Sequence, residues 1–302
     1  MKTDIMFLGP ITNDCNIDYD GTEVRSIGGA VTFCAPAAKA AGANVYVSLK
    51  ANPADTALLE TFPLPKTEWT ILPSPETTLM RNVYFTPDRE RRRGTCLAQS
   101  DPITCDQVPE MDCTLYHLAG LLYGDFPSQL MRTLSQRGQL ALDVQGVLRH
   151  NEGGTMVFHD WAEKRTLLPC ITYLKADAAE AELLTGTSDL QEAARILHSW
   201  GAGEILISHN AQMLCWDGSR FSTCPVRSRN LSGRTGRGDT VFGAYLGMRV
   251  QGYSMEESLR YATACVSLKM ETPGPFAGSR ADVETYLQEF YRDCPLPERS
   301  ST

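Results

Sequence analysis

The sequence predicts an α/β protein with a mainly parallel sheet, helices on both faces and a small β flap. Three observations predict it. Apolar, strand-like runs alternate with helical patterns along most of the chain, which implies βαβ units. Several of the runs are of the buried type, as expected of strands covered on both faces. Two polar segments, residues 12–27 and 79–97, break the alternation.

The elements follow in order. Residues 5–9 read as the first strand, ending in a glycine turn, and residues 44–49 as the second. Between them a helix over 30–41 is entered through Gly28 and Gly29. Residues 115–119, 140–144, 171–175 and 205–208 are further strands. Helices over 126–136, 178–184 and 190–200 lie between them. A polar loop over 227–234 leads into Thr235-Gly236-Arg237-Gly238-Asp239. Helices over 240–251 and 255–270 come next, and a turn at 272–275 leads to a last helix near 281–291. The two interrupting segments form a small antiparallel flap, with strand-like pieces around Pro87 and Asp88. There is no internal repeat, and the polar tail over 295–302 is expected to fray. The whole of 1–302 reads as one domain with lid segments near 12–27 and 79–97.

Composition narrows the function. Apolar residues make up 42% and charged residues 21%, as in ordinary globular proteins. With 28 basic against 36 acidic residues the net charge is −8, which argues against nucleic-acid binding. The one basic run, over 89–93, is interrupted by Glu90 and reads as a solvated loop or strand edge. Ten cysteines are scattered without a CxxC pair or a zinc-type Cys/His spacing. They are expected to be reduced thiols in a cytoplasmic protein. The N-terminal apolar stretch is too short for a signal peptide. No apolar run reaches the length of a membrane span, so no membrane partner is expected.

The chemistry concentrates at Gly236-Arg237-Gly238-Asp239, at the mouth of a helix. A first helical turn offers free N–H groups and a partial positive charge. Two glycines let that backbone approach an anion closely. Asp239 can take the proton of an attacking hydroxyl, and Arg237 adds positive charge. The string is not a Walker A loop, because no Gly-Lys-Ser/Thr follows. Alone it reads more readily as a glycine-rich loop with Asp239 as a simple helix cap.

Its context is more specific. Asp14 follows the first strand, Gly28-Gly29 precedes a helix, and Lys175-Ala176-Asp177-Ala178-Ala179-Glu180 ends a strand and opens another helix. From about residue 5 to 290, this ordered set resembles the ribokinase-like (PfkB) carbohydrate kinase family. The short match Gly28-Gly29-Ala30-Val31-Thr32-Phe33 resembles its inositol-kinase-like branch. The resemblance implies a three-layer sandwich with a β lid and an ATP- and Mg2+-dependent kinase acting on a sugar or polyol hydroxyl. It implies Asp239 as base, with Gly236, Arg237 and Gly238 forming an anion hole. It places Asp14, Gly28 and Gly29 at the acceptor, and Ser208, Asn210, Thr235, Gly238 and Gly274 at ATP. Glu180 and Asp177 fall where the family positions magnesium, largely through water. A flap edge of this family can pair with a neighbouring chain, which allows a homodimer through the lid.

The sequence also departs from the family pattern. Where DTxGAGD is common, it has Gly233, Arg234 and Arg237 in place of the first Asp, the Thr and the Ala. Asp177 replaces the Asn of NxxE, Ser208-His209-Asn210 replaces Thr-x-Gly, and Thr32 or Phe33 stands where ribokinase reads sugar hydroxyls with Asn.

For the acceptor, Asp143, Gln145 and Arg149 leave a strand at the active edge and can bind a polyol or an anion. They read equally as a strand-end cap and a surface ion pair. Arg81 in the flap reads mainly as a solvated side chain. None of the five histidines stands in a triad context; His117 reads as a satisfied core residue and His198 as a surface one. The leading expectation is an ATP-dependent polyol kinase. Alternatives are a nucleoside kinase of the same fold and a non-catalytic ligand sensor.

Overall fold

The computed structural model describes residues 2–86 and 92–294. The flap turn at Pro87 and Asp88, most of the basic run, and the polar tail from residue 295 lie outside the described residues. The strands are β1 (Thr3–Pro10), β2 (Thr12–Ile17), β3 (Glu23–Gly28), β4 (Val45–Ala51), β5 (Trp69–Pro73), β6 (Thr78–Tyr84), β7 (Arg92–Ala98) and β8 (Cys113–Leu118). They continue as β9 (Gln139–Asp143), β10 (Arg149–Glu152), β11 (Thr155–Phe158), β12 (Tyr173–Asp177), β13 (Glu204–Ser208), β14 (Gln212–Trp216) and β15 (Phe221–Pro225).

Nine strands form the main sheet, in the order β15-β14-β13-β12-β9-β8-β1-β4-β5. From β13 to β5 all pairs are parallel, and β14 and β15 add an antiparallel edge hairpin. The sequence reading missed β5 and this hairpin; both lie at the sheet's edges. Strand β1 shows why the sheet has two covered faces. Ile5 and Phe7 pack into one core with helices Ala30–Ala40, Arg237–Arg249 and Met255–Lys269. Met6 and Leu8 pack into the other with helices Ser128–Arg137, Ala178–Thr185 and Leu190–Ser199. A run without polar positions is what burial on both sides requires.

The six-stranded lid, β10-β11-β7-β6-β2-β3, is larger than the expected flap. It is also mixed rather than antiparallel, because β2 and β6 run parallel. The β10–β11 hairpin joins through one pair, Thr155 with Thr95.

Helix starts differ in a way that matters. Asp177, Asp189, Ser254 and Ser279 each cap their helix with a side chain, so those first-turn amides are partly satisfied within the chain. The helices at Ala30 and Arg237 begin instead at Gly29 and Gly236, with φ of 92° and 75° and no side-chain cap. No side chain takes up their first-turn N–H groups; the Thr32 N–H turns to the Gly29 carbonyl at 3.1 Å and the Arg237 N–H to the Arg234 carbonyl at 3.3 Å. The two helices pack against each other so closely that a Cβ on Gly243 would lie 2.1 Å from the Cys34 carbonyl oxygen. All ten cysteines are free. Among the described residues, no helix is long and apolar enough to cross a membrane.

Candidate active site

The parallel strands deliver polar residues to their carboxyl ends, where ligands bind in sheets of this kind. Lys175 and Asp143 are register partners on β12 and β9, as are Asp177 and Ser208 on β12 and β13. Together with the start of the Arg237 helix they border a cavity of about 250 Å³. Its lining is Gln145, Lys175, Asp177, Glu180, Ser208 and residues 234–239. Among the described residues, no apolar or aromatic side chain lines it.

The helix begins three residues earlier than the sequence pattern places it, so Arg237, Gly238 and Asp239 form its first turn. Gly236 makes this possible. It takes a left-handed conformation, and a Cβ there would meet the Phe33 ring at 2.2 Å. A Cβ on Gly238 would lie 3.0 Å from Lys175 Nζ, so the lysine sits directly behind the turn.

Lys175 is the centre of the local charge. It is buried and paired with Asp143 at 2.9 Å and Glu180 at 3.7 Å. Those carboxylates raise its pKa despite the opposing effect of burial, so it stays charged. Asp143 is thus a buried counter-ion, and it also accepts from the Gln145 N–H at 3.1 Å. Of the two sequence readings, polyol ligand or strand-end cap, neither describes its main contact. Asp239 is pushed up to about 6 by burial and by Asp143, against the lowering influence of Lys175, Arg149 and Lys269.

Two guanidinium groups enter the same cavity. Burial and the neighbouring Arg234 lower the pKa of Arg237, with Asp177 opposing. Like charges held together in a partly buried cleft favour an incoming polyanion. Arg237 Nη1 donates to Asn210 Oδ1 at 2.7 Å. Asn210 is thereby placed behind the arginine and does not line the cavity. Gly274 stands in an exposed turn, also outside the lining. Arg149 is tied back to the Leu121 carbonyl at 2.9 Å and acts on Asp239 through its charge.

Asp177 and Glu180 are linked in a reciprocal capping box, at 2.8 and 2.7 Å. Among the described residues, no cluster of three or more His, Cys, Asp or Glu side chains could hold a metal. Burial raises Glu180 to about 7, with Lys175 opposing. This pair fits a magnesium ion that keeps its water and arrives with phosphate, and does not fit an all-protein cage.

On the lid side, Gly28 gives Asp14 room: a Cβ there would lie 2.4 Å from Asp14 Oδ2 and from Thr12 Oγ1. Thr12 donates to Asp14 at 2.6 Å. Gly29 starts the Ala30 helix, and a Cβ on it would meet the Pro10 carbonyl oxygen at 2.4 Å. On the face of the lid that carries Asp14, Asn82 donates to Asn16, and Asn16 to Ser26, both at 3.1 Å. The Thr32 hydroxyl is used by the Gly28 carbonyl at 2.8 Å, and Phe33 supports Gly236.

The cavity therefore brings together Gln145, Asp177, Glu180, Ser208, Thr235, Gly236, Arg237, Gly238 and Asp239. Asp14, Gly28 and Gly29 stand on the lid side. Arg81 is exposed on the opposite face of β6. His117 is buried as expected but not satisfied: neither ring nitrogen has a partner, and the ring lies edge-on to Phe7 and Phe242. Sequence reasoning missed Lys175, Lys269, Asn16, Ser26 and Asn82 as site residues, and took Arg234 only as a departure. A lysine inside an apolar run carries the signal for the first two, Lys175 in a strand and Lys269 in a helix.

Comparison with known proteins follows this geometry. The model of the pfkB family carbohydrate kinases matches residues 110–281. A pyrophosphate-dependent kinase of the ribokinase family, solved with a pyrophosphate analog and myo-inositol, is 33% identical with a TM-score of 0.83. The match covers 93% of this chain and 99% of that one. A pyrophosphate-dependent myo-inositol-1 kinase, converted into a myo-inositol-3 kinase by substitution, is 32% identical over 95% of this chain and 99% of its own, also at 0.83. A cytidine kinase from Thermococcus kodakarensis (strain ATCC BAA-918 / JCM 12380 / KOD1) is 25% identical over 269 residues, 85% of this chain and 92% of its own. Arabidopsis thaliana ribokinase, solved with ribose and ATP, shares the fold at 15% identity and a TM-score of 0.75, over 95% of this chain and 99% of that one. The ribokinase-like fold, the uncapped glycine start of the Arg237 helix and these matches agree: this chain is a kinase belonging to the pfkB family of carbohydrate kinases.

Proposed function

We propose that this protein is a pyrophosphate-dependent kinase that phosphorylates a hydroxyl of a cyclitol such as myo-inositol. The observation that carries the donor is the lining of the cavity. Lys175, Arg234 and Arg237 supply cationic charge, and among the described residues no apolar side chain lines this cavity; the apolar cavity at Leu268, Pro273, Pro275 and Phe276 is a separate one, on the far side of Lys269. A nucleoside needs an apolar slot for its base, whereas a bare diphosphate needs only charge and hydrogen-bond donors. ATP, the donor that the family resemblance implies, fits the phosphate end and finds no platform for adenine in this lining. The 33% identical relative carries a pyrophosphate analog and myo-inositol, which supports both halves of the reading.

In this reaction the acceptor oxygen attacks the terminal phosphorus and the bridging P–O bond breaks. Orthophosphate leaves, and the hydroxyl proton passes to Asp239. The amides of Gly236, Gly238 and Asp239 and the two arginines hold the charge of the phosphoryl group in flight, while the Arg237 N–H is taken up by the Arg234 carbonyl. Magnesium, when bound, neutralises phosphate charge, and Asp177 and Glu180 would hold it through water. Asp14 and the Asn82–Asn16–Ser26 chain orient the ring. The enzyme works in the cytoplasm, without nucleic acid or membrane.

The test is a donor-by-acceptor matrix with magnesium. Pyrophosphate and ATP are crossed with inositols, ribose and cytidine, and the phosphorylated product is followed by phosphorus NMR. Turnover of an inositol with pyrophosphate, and not with ATP, is expected. Turnover with ATP alone would reject the donor, cytidine as the sole acceptor would reject the cyclitol, and no turnover with any pair would favour a ligand sensor.

A further inference from the structure

The transfer chemistry above leaves the buried cation beside the 233–236 turn unused. Lys269, at the end of the Met255–Lys269 helix, is only 2% exposed. Its Nζ donates to the Gly233 carbonyl at 2.6 Å and to the Thr235 carbonyl. It does not line the anion cavity. The Phe33 ring, on which Gly236 rests, lies 5.2 Å from Nζ. Burial pushes the ammonium down to about 8, with Asp239 opposing.

An ammonium is compact and strongly hydrated, so burying it against neutral carbonyls is costly. The effect of those two bonds on the backbone is specific. A peptide group is planar and trans, so its N–H points opposite to its C=O. Drawing the Thr235 carbonyl onto Lys269 turns the Gly236 N–H away from the lysine. Drawing in the Gly233 carbonyl does the same for the Arg234 N–H. Residues 234–239 line the cavity and Lys269 does not. The same turn is held a second time from the same helix end: the Gly233 N–H donates to the Met270 carbonyl at 2.7 Å, and Ser232 Oγ to the Glu271 carbonyl at 2.7 Å.

We propose that Lys269 is a positioning residue: an internal cation whose bonds to the Gly233 and Thr235 carbonyls fix the peptide planes of the 233–236 turn and aim that turn at the transferred phosphoryl group. The role rests on the phosphoryl-transfer reading, but its structural half does not. Lys269→Met keeps the length of the side chain and removes the charge. Hydrogen exchange in the peptide over 232–240 is expected to rise about tenfold while the main sheet is unchanged. Magnesium pyrophosphate is expected to bind about tenfold more weakly, with the KM of the acceptor unmoved. In Lys269→Ala, methylammonium should restore part of the lost pyrophosphate affinity, and it should not tighten binding to the wild type.

Unchanged exchange over 232–240 overturns the proposal, as does exchange that rises evenly through the molecule. If pyrophosphate does not bind the wild type, the donor reading fails, and the exchange measurement still decides on Lys269. Should the neutral variants not fold, Lys269→Arg decides. Its guanidinium keeps the charge but cannot place one compact donor between both carbonyls, so the same local rise in exchange is expected. Its absence overturns the assignment.

Discussion

The two halves of the proposed site are built on opposite plans. The proposed donor half is charged and nearly contiguous: residues 234–239 at one helix start, with Arg234 and Arg237 as its cations, backed by Lys175 and the carboxylates paired with it. The acceptor half is made mostly of neutral groups from separate lid strands, with Asp14 as its acid: Asn16 on β2, Ser26 on β3 and Asn82 on β6. Charge suits a phosphate, whose recognition tolerates small displacements. Neutral hydrogen-bonding groups suit a ring of hydroxyls, where discrimination depends on placing each partner. Donor binding is thus expected to depend on a few residues strongly, and acceptor binding on several residues weakly.

The largest effect should come from the residue between the halves. Asp239→Asn is expected to lower kcat by about 1000-fold while pyrophosphate still binds, measured by steady-state kinetics and calorimetry. In the wild type, kcat/KM should climb with pH and level off above about 6, where the raised carboxyl has lost its proton. A flat profile from pH 5 to 8, or full activity in the variant, would remove Asp239 as base. Next, Arg237→Ala should raise the KM for pyrophosphate by about 10- to 100-fold and leave that of the acceptor alone. Equal changes in both would mean that the halves are not separate. Asn82→Leu should do the reverse, with the acceptor KM rising about tenfold. A change in the pyrophosphate KM of similar size would dissolve the contrast.

The smallest effect is on stability. The Asp239 carboxyl holds its proton more tightly folded than unfolded. Its contribution is therefore most favourable below the unfolded value near 4 and is lost as pH rises through about 6. Asp239→Asn should accordingly raise Tm at pH 8 by about 2–4 °C and change it little at pH 4. A lower Tm at pH 8 would show that the carboxylate supports the fold.

This contrast also explains what the sequence disclosed. Gly236 to Asp239 are neighbours in the chain, so their joint chemistry could be read directly. The fold was legible for a similar reason, since strands such as β1 and β12 carry their burial in a local run. Asn16, Ser26 and Asn82 carry no local signal. They meet only through register, and β2 pairs with β6 in a parallel sense that the flap pattern did not imply. Asp143 and Lys175 become partners in the same way, across neighbouring strands. The β10–β11 hairpin is short, and it meets β7 through one register pair and the Cys96 N–H bond to the Gly154 carbonyl.

The near-contact at Gly243 has a mechanical consequence. The Ala30 helix starts beside the acceptor residues and the Arg237 helix at the donor turn, and along their length backbone touches backbone. Such a pair has no slack for sliding, because any side chain at Gly243 would strike the Cys34 carbonyl. On the proposed function, the two helices act as a ruler that sets the gap across which the phosphoryl group is handed. New acceptors would then have to be accommodated by changing the lid, since the distance itself is fixed from below.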